Sequence, residues 1–238
     1  MSKGLLLFSG GQDSTTLLGW CLKKYHEVYL ITFDYEQKHL VEIQSAKKII
    51  KKINTYFPEW KGKIQNSFIY KINRINSLNK NALTSELEIT KNTGKKLPNT
   101  FVPGRNILFY TLAAAYAYDK GIMNIISGVC QTDYSGYPDC RNETILALEK
   151  SISLGMDKKF KFLTPLMKKN KSEIWKMAYN LGGNKYLSFI KKNTHTCYRG
   201  NRVKFNDWGY GCNNCPACFL RSKGWKNFKD ENKKKVLR

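Results

Sequence analysis

The chain has 238 residues, with 41 Lys+Arg against 18 Asp+Glu, for a formal net charge of +23 at pH 7. A hydrophobic content of 42% is ordinary for a globular domain and excludes a disordered body. No apolar run approaches the ~20 residues of a membrane-spanning helix, and Gly4–Phe8 is too short for the core of a signal peptide, so a cytoplasmic protein with no membrane partner is expected.

Lys3–Ser9 reads as a buried strand, its Leu5, Leu6, Leu7 and Phe8 running into a Gly pair. Asp13 is expected to cap the helix that follows, in which Leu17, Leu18, Cys21, Leu22 and Tyr25 recur at helical spacing. Val28–Phe33 is a second strand ending at Asp34, then a helix covers about Val41–Ile53, and Ile64–Ile72 is a third strand. Residues 73–100 lack periodicity and read as an insertion or loop. The pattern continues with a helix over Asn106–Tyr118, a strand over Ile122–Val129, a helix over Glu143–Leu154, a short strand over Phe160–Leu163 and a helix over Lys171–Leu181. The charged tail Lys226–Arg238 is expected to fray. Strands alternating with helices predict an open, doubly wound α/β parallel sheet covered on both faces.

The turn Ser9-Gly10-Gly11-Gln12-Asp13-Ser14 lies where such a sheet binds ligands, between a strand end and a helix start. Glycines let backbone amides approach a phosphate, the helix presents its positive end, and Ser9, Ser14 and Thr15 add hydroxyl donors. The turn has neither the Gly-Lys-Ser/Thr ending of a Walker loop nor the third Gly of a dinucleotide fingerprint. It resembles the signature of the PP-loop, N-type ATP pyrophosphatases (adenine nucleotide alpha hydrolase-like). That resemblance implies cleavage of ATP between the α- and β-phosphates, with adenylation of a substrate oxygen. It also implies a phosphate-contacting role for Lys171, which opens a helix after Thr164-Pro165-Leu166, and a nucleotide contact for Asp34.

Cys212, Cys215 and Cys218 stand at x2, x2 spacing, with fourteen residues between Cys197 and the first of them. Four thiolates suit a closed tetrahedral zinc site of structural role, in a small C-terminal zinc-binding subdomain. An iron–sulfur cluster or unligated thiols are the alternatives. The chain is expected to divide into residues 1–190, carrying ATP and substrate, and residues 191–238, carrying zinc and not folding alone. Cys130, at a strand end, reads as core rather than as a nucleophile of the kind used in tRNA thiolation, and Cys140 is weighed against the same alternative.

Three further strings narrow the resemblance. They are Thr32-Phe33-Asp34-Tyr35-Glu36-Gln37-Lys38-His39, Pro98-Asn99-Thr100-Phe101-Val102-Pro103-Gly104-Arg105-Asn106, and residues 128–141 with Ser135-Gly136-Tyr137-Pro138-Asp139-Cys140-Arg141. With the glycine turn and the cysteines they resemble the QueC family of queuosine precursor biosynthesis, the 7-cyano-7-deazaguanine synthases, over about residues 3–225. The resemblance implies a ligase that adenylates 7-carboxy-7-deazaguanine, takes up ammonia to give the amide, and adenylates the amide to give the nitrile. It implies ATP held by Phe8, Ser9, Gly10, Gly11, Gln12, Asp13, Ser14, Thr15, Thr16, Leu17, Leu18 and Asp34, with Ser9, Asp13, Ser14 and Lys171 acting on the phosphates. Mg2+ is expected with ATP because the phosphates need charge neutralisation. Arg105 and Arg141 are candidates for the substrate carboxylate. Asp133 or Asp139 would read its amino edge, Tyr134 or Tyr137 would stack on its ring, and His39 would shuttle protons. The family also implies a homodimer, with Phe219, Trp225 and Phe228 divided between an interface and the chain's own core.

Two departures stand out. Glu36 occupies a position where the family usually has Gly, and the loop between Cys197 and Cys212 is long and carries Arg199, Arg202 and Lys204. Related enzymes that stop at the amide, or pass the activated group to a tRNA or protein amine, are the alternative function, and a nucleic-acid-binding zinc module is a third. Residues 156–238 hold 21 Lys+Arg and 5 Asp+Glu, a basic third of the kind that attracts nucleic acid. Lys outnumbers Arg 34 to 7, so nucleic acid is expected as a non-specific partner and the charge as a field for ATP and an anionic acid.

Overall fold

The structure is a computed structural model and describes residues 1–37, 40–73, 82–83, 97–132 and 136–236. The assignments of His39, Asp133 and Tyr134, and most of the loop expected over 73–100, lie outside the described residues.

Among the described residues, β1 (Lys3–Leu7), β2 (Glu27–Asp34), β3 (Ile64–Lys71), β4 (Asn124–Ile126) and β5 (Lys161–Leu163) form one parallel sheet in the order β3-β2-β1-β4-β5. The helices are α1 (Gln12–Lys24), α2 (Val41–Tyr56), α3 (Arg105–Asp119), α4 (Asn142–Gly155), α5 (Lys171–Asn193) and α6 (Pro216–Val236). Alternating side chains of the sheet feed two cores. Leu6, Phe8, Val28 and Leu30 meet α1, α2, α5 and α6, whereas Leu5, Ile31 and Phe33 meet α3 and α4. Burial on both faces is why β1 reads as a continuous apolar run instead of an alternating one. Each fully buried Leu contributes roughly 1.5–3 kcal/mol.

Several boundaries differ from the sequence reading. Asp13 does not cap α1: the N-cap is Gly11, without a side-chain bond, and Asp13 sits in the first turn. The helix expected to stop at Leu181 breaks at Gly182 and Gly183 and then resumes to Asn193. Gly183, at φ 59°, supplies the left-handed step. The second half buries Tyr186, whose hydroxyl donates to Thr15 O and accepts from Gly19 N at 3.0 Å. That pair holds α1 in place. The fraying tail is also corrected: α6 continues to Val236, and Trp225 and Phe228 are buried against Trp175 and Tyr179 of α5, while Phe219 is exposed. Lys-rich composition had masked this buried stripe.

Glu36 has φ 59°. A left-handed backbone costs an L side chain roughly 1–2 kcal/mol, part of which Gly returns as unfolded-state entropy. Glu36→Gly is therefore expected to stabilise the fold by about 1 kcal/mol, a rise of roughly 2–4 °C in Tm. A thermal scan showing a lower Tm would refute this.

Candidate active site

The chain leaves β1 toward β2 and β3 and returns beyond β1 to β4, so β1 and β4 flank a switch point with a crevice at their C-terminal ends. A cavity of ≈ 340 Å³ opens there. Phe8, Ser9, Asp13 and Ser14 line it from the glycine turn, Ser127–Cys130 from the end of β4, and Tyr35, Glu42, Arg105, Tyr137 and His195 from other elements.

The turn is held by its own hydroxyls: Ser9 Oγ lies 3.1 Å from Ser14 Oγ and accepts from Gly11 N at 3.3 Å. Gly10 sits at φ 79°, where a Cβ would come within 2.6 Å of Ala46 N on α2. Both the conformation and the close approach demand Gly. Lys171 Nζ donates to Asp13 Oδ2 at 2.6 Å, both groups being largely sheltered. Asn170 fixes the lysine by opening α5 with a capping box: its side chain accepts from Glu173 N at 3.1 Å, and Glu173 accepts from Asn170 N at 2.8 Å. Gly224 lets α6 pass against Lys171, since a Cβ there would overlap Lys171 Cβ and lie 2.8 Å from its carbonyl carbon. Asp13 Oδ1, Thr15 Oγ1 and both polar atoms of the Gln12 amide are buried without a hydrogen-bond partner. Orphan polar atoms gathered beside an uncapped helix start fit a site built for an oxyanion and its cation.

Other predicted residues fall elsewhere. Leu17 and Leu18 are core, and Thr16 Oγ1 bonds back to Gln12 O at 3.0 Å, so these three seat α1 and do not line the cavity. Asp34 Oδ1 accepts from Glu36 N at 3.3 Å and serves the turn after β2. Asp139 is buried, and its Oδ2 accepts from Asn106 N at 3.0 Å, capping α3 from across the chain. Arg141 is exposed and lines an adjoining cavity of ≈ 320 Å³ that shares Cys130 and Tyr137 with the first. Arg105 stays in the main cavity, 5.5 Å over the Tyr35 ring and 6.0 Å from Tyr137, and its Nε has no hydrogen-bond partner. Tyr137 is anchored by its hydroxyl, 2.6 Å from Thr100 Oγ1. Cys130 donates to Lys169 O at 3.1 Å.

Glu42 and His195 are among the lining groups that escaped the sequence reading. Burial pushes the Glu42 carboxyl up to about 7, with Arg105 opposing the shift. His195 is fully buried, and burial pulls its imidazole down. Its Nε2 lies 2.9 Å from Cys197 O. A carbonyl only accepts, so Nε2 carries the proton. The backbone N of His195 donates to Gly10 O at 3.2 Å, which joins the cysteine loop directly to the glycine turn. The position of His195 two residues before Cys197 was the available signal.

The sulfurs of Cys197, Cys212, Cys215 and Cys218 lie within 4.8 Å of one another. Cys212 and Cys218 are 3.9 Å apart, and Cys197 and Cys215 4.0 Å. A tetrahedron with 2.3 Å metal–sulfur bonds has edges of about 3.8 Å, so the residues fit a zinc ion. Hydrogen bonds from Cys215 and Cys218 hold the Cys197 thiol far below its usual range, and bonding to Cys197 pushes Cys215 up to about 11. Arg221 is fully buried beside the cluster. It donates to Trp208 O at 3.1 Å, Thr196 Oγ1 at 2.9 Å and Thr194 Oγ1 at 2.8 Å. The long loop is not a free basic arm. Arg202 donates to Lys192 O at 3.0 Å and Thr194 O at 3.3 Å, closing the C-terminus of α5, and reaches Ser45 of α2 at 3.1 Å.

Among the described residues no helix is long and apolar enough to cross a membrane. The fold is shared with a 4-thiouridine synthetase solved with RNA and bound ATP, at TM-score 0.50 and 19% identity. That match covers 96% of this chain and 51% of the other, and it speaks for the fold alone. A 7-cyano-7-deazaguanine synthase of Janthinobacterium sp. (strain Marseille) is 47% identical over 229 residues, covering 96% of this chain and 97% of its own. One from Rhodopseudomonas palustris (strain BisA53) is 49% identical over 224 residues, covering 94% and 92%. The sequence profile described as "Queuosine biosynthesis protein QueC" matches residues 3–229. With the glycine turn, the switch-point cavity and the four-cysteine cluster in one frame, the chain belongs to the QueC family.

Proposed function

We propose that this chain is a cytoplasmic 7-cyano-7-deazaguanine synthase, which uses ATP twice to turn 7-carboxy-7-deazaguanine and ammonia into the nitrile. The observation that carries the reading is the union in one cavity of the glycine turn, with its helix start and hydroxyls, and the Arg105 guanidinium. The relatives' name supplies the substrate class. A carboxylate is a poor electrophile until its oxygen becomes part of a phosphate leaving group. The turn amides, Ser9, Ser14 and Lys171 would hold the phosphates, and Asp13, whose Oδ1 has no hydrogen-bond partner, would hold Mg2+ to neutralise their charge. Arg105 would pair with the carboxylate, and Tyr35 and Tyr137 would flank the planar ring. Zinc in the four thiolates has no open position, so its role would be structural. The resemblance implies a homodimer, which a sedimentation experiment would test.

The test is direct. Protein, Mg2+, ATP, ammonium and 7-carboxy-7-deazaguanine are combined and the product is identified by mass spectrometry, with nitrile expected. AMP without nitrile would favour an amide-forming or macromolecule-modifying relative, and unconsumed ATP would favour a binding module. Arg105→Ala is expected to raise the KM for the acid by about 10–100-fold, the loss of one charge-assisted pair. Arg141→Ala should raise it less, because its side chain faces the adjoining cavity. Equal effects, or a larger one at Arg141, would reverse the assignment.

A further inference from the structure

Glu42 stands in the first turn of α2 and lines the cavity beside Ser9, Asp13, Ser14 and Arg105. Its position is tied to the glycine turn, because a Cβ on Gly10 would lie 2.8 Å from Glu42 O. Among the described residues its carboxyl makes no hydrogen bond and no ion pair within 4 Å. A carboxyl at a helix start is ordinarily favoured as the anion. Burial outweighs that here and raises Glu42 to about 7.

The reaction releases protons from nitrogen, and something in the cavity must take them. Ammonia attacks the acyl carbon of the adenylate, the C–O bond to AMP breaks with its electron pair on AMP, and the new nitrogen sheds one proton. After the remaining oxygen, that of the amide, is adenylated, its own C–O bond breaks with the electron pair on the second AMP, and the C≡N bond forms as nitrogen sheds its remaining two protons. The other titratable groups around the cavity are less suited. Asp13 is paired with Lys171 at 2.6 Å, and Arg105 is a cation. His195 has Nε2 bound to Cys197 O, and its unpartnered Nδ1 is buried in an imidazole that burial pulls down, a weaker proton acceptor; Cys197 belongs to the sulfur cluster. Tyr35 and Tyr137 are pushed above the ordinary phenol range by burial. Cys130 and Cys140 are held by Lys169 O and by the Asn106 side chain. Lys38 and His39, just before α2, lie outside the described residues.

We propose that Glu42 is the general base of the two nitrogen steps, taking the protons that leave as the amide and then the nitrile form. This rests on the function proposed above. The experiment compares wild type and Glu42→Gln, both full length and zinc-loaded. Two rates are read: acid-dependent exchange of pyrophosphate into ATP, which reports adenylation, and formation of amide plus nitrile. The ratio of product formation to exchange is expected to fall by 10²–10⁴-fold, the usual worth of a positioned base. In wild type, product formation at fixed free ammonia should rise with pH through a limb near 7 and then level off, and the variant should lose that limb.

A ratio within tenfold of wild type overturns the proposal, whether both rates persist or both fall together. Should Glu42→Gln fail to fold, a wild-type profile without a limb between about pH 6 and 8 overturns it independently. Wild type that shows no acid-dependent exchange overturns the parent function, and this assignment with it. Active wild type with an unaffected ratio overturns this assignment alone.

Discussion

Replacing Cys218 with Ser is expected to release the metal, lower Tm by roughly 8–16 °C and weaken ATP binding. Cys218 is fully buried, and its sulfur stands at the edge distance a zinc tetrahedron requires. Loss of a structural metal is among the few single changes that cost about 4 kcal/mol or more, and each kcal/mol shifts Tm by about 2–4 °C at this chain length. The binding defect follows from connectivity. Cys197 is two residues from His195, whose backbone N bonds Gly10 O at 3.2 Å, and Arg221 bonds Thr194 and Thr196 on either side of His195. A loosened cysteine loop therefore loosens the glycine turn. Elemental analysis, a thermal scan and ATP titration measure the three effects. Zinc lost with Tm unchanged would sink the structural role. Because thiols bind metal as thiolates, affinity should fall as pH falls, which is the direction to check in a zinc-release titration.

Lys171→Met is expected to slow ATP consumption by 10²–10³-fold, the usual cost of removing one preorganised donor from developing phosphate charge. The lysine is held ready: Asn170 and Glu173 cap its helix, Gly224 gives it room, and Asp13 orients its ammonium at 2.6 Å. The substitution also strands Asp13. An unpaired buried carboxylate costs about 3–5 kcal/mol, less here because the Asp13 side chain is a quarter exposed. The double variant Asp13→Asn, Lys171→Met tests whether the activity loss is only a loss of stability. It should recover stability and leave activity lost. Activity recovering along with stability would make Lys171 a packing residue rather than a phosphate contact.

Some elements could be read without tertiary knowledge because their signals are local. The apolar run of β1 ending in two glycines can be only a buried strand entering a tight turn, and three cysteines at x2 spacing with a fourth upstream point to a metal. Glu36 was legible as a strained position once the family pattern was set beside it, and its φ of 59° agrees. Other features had no local signal. The helix after Gly182-Gly183 follows a pair that usually ends helices, and it forms because Tyr186 and Phe189 find the core. The Lys-rich tail stays helical because Trp225 packs on Trp175 at 4.9 Å.

By itself the sequence determined the parallel α/β order, the glycine turn and the grouping of four cysteines. Each of these rests on residues close together in the chain, where spacing is geometry. The tertiary structure alone decided which polar groups share the cavity. It sent Asp139 to the start of α3, turned Arg202 into a helix cap, and brought Glu42 from α2 opposite Arg105 from α3. A side chain's proton affinity and free hydrogen bonds depend on neighbours contributed by distant segments, and chain order does not specify those neighbours.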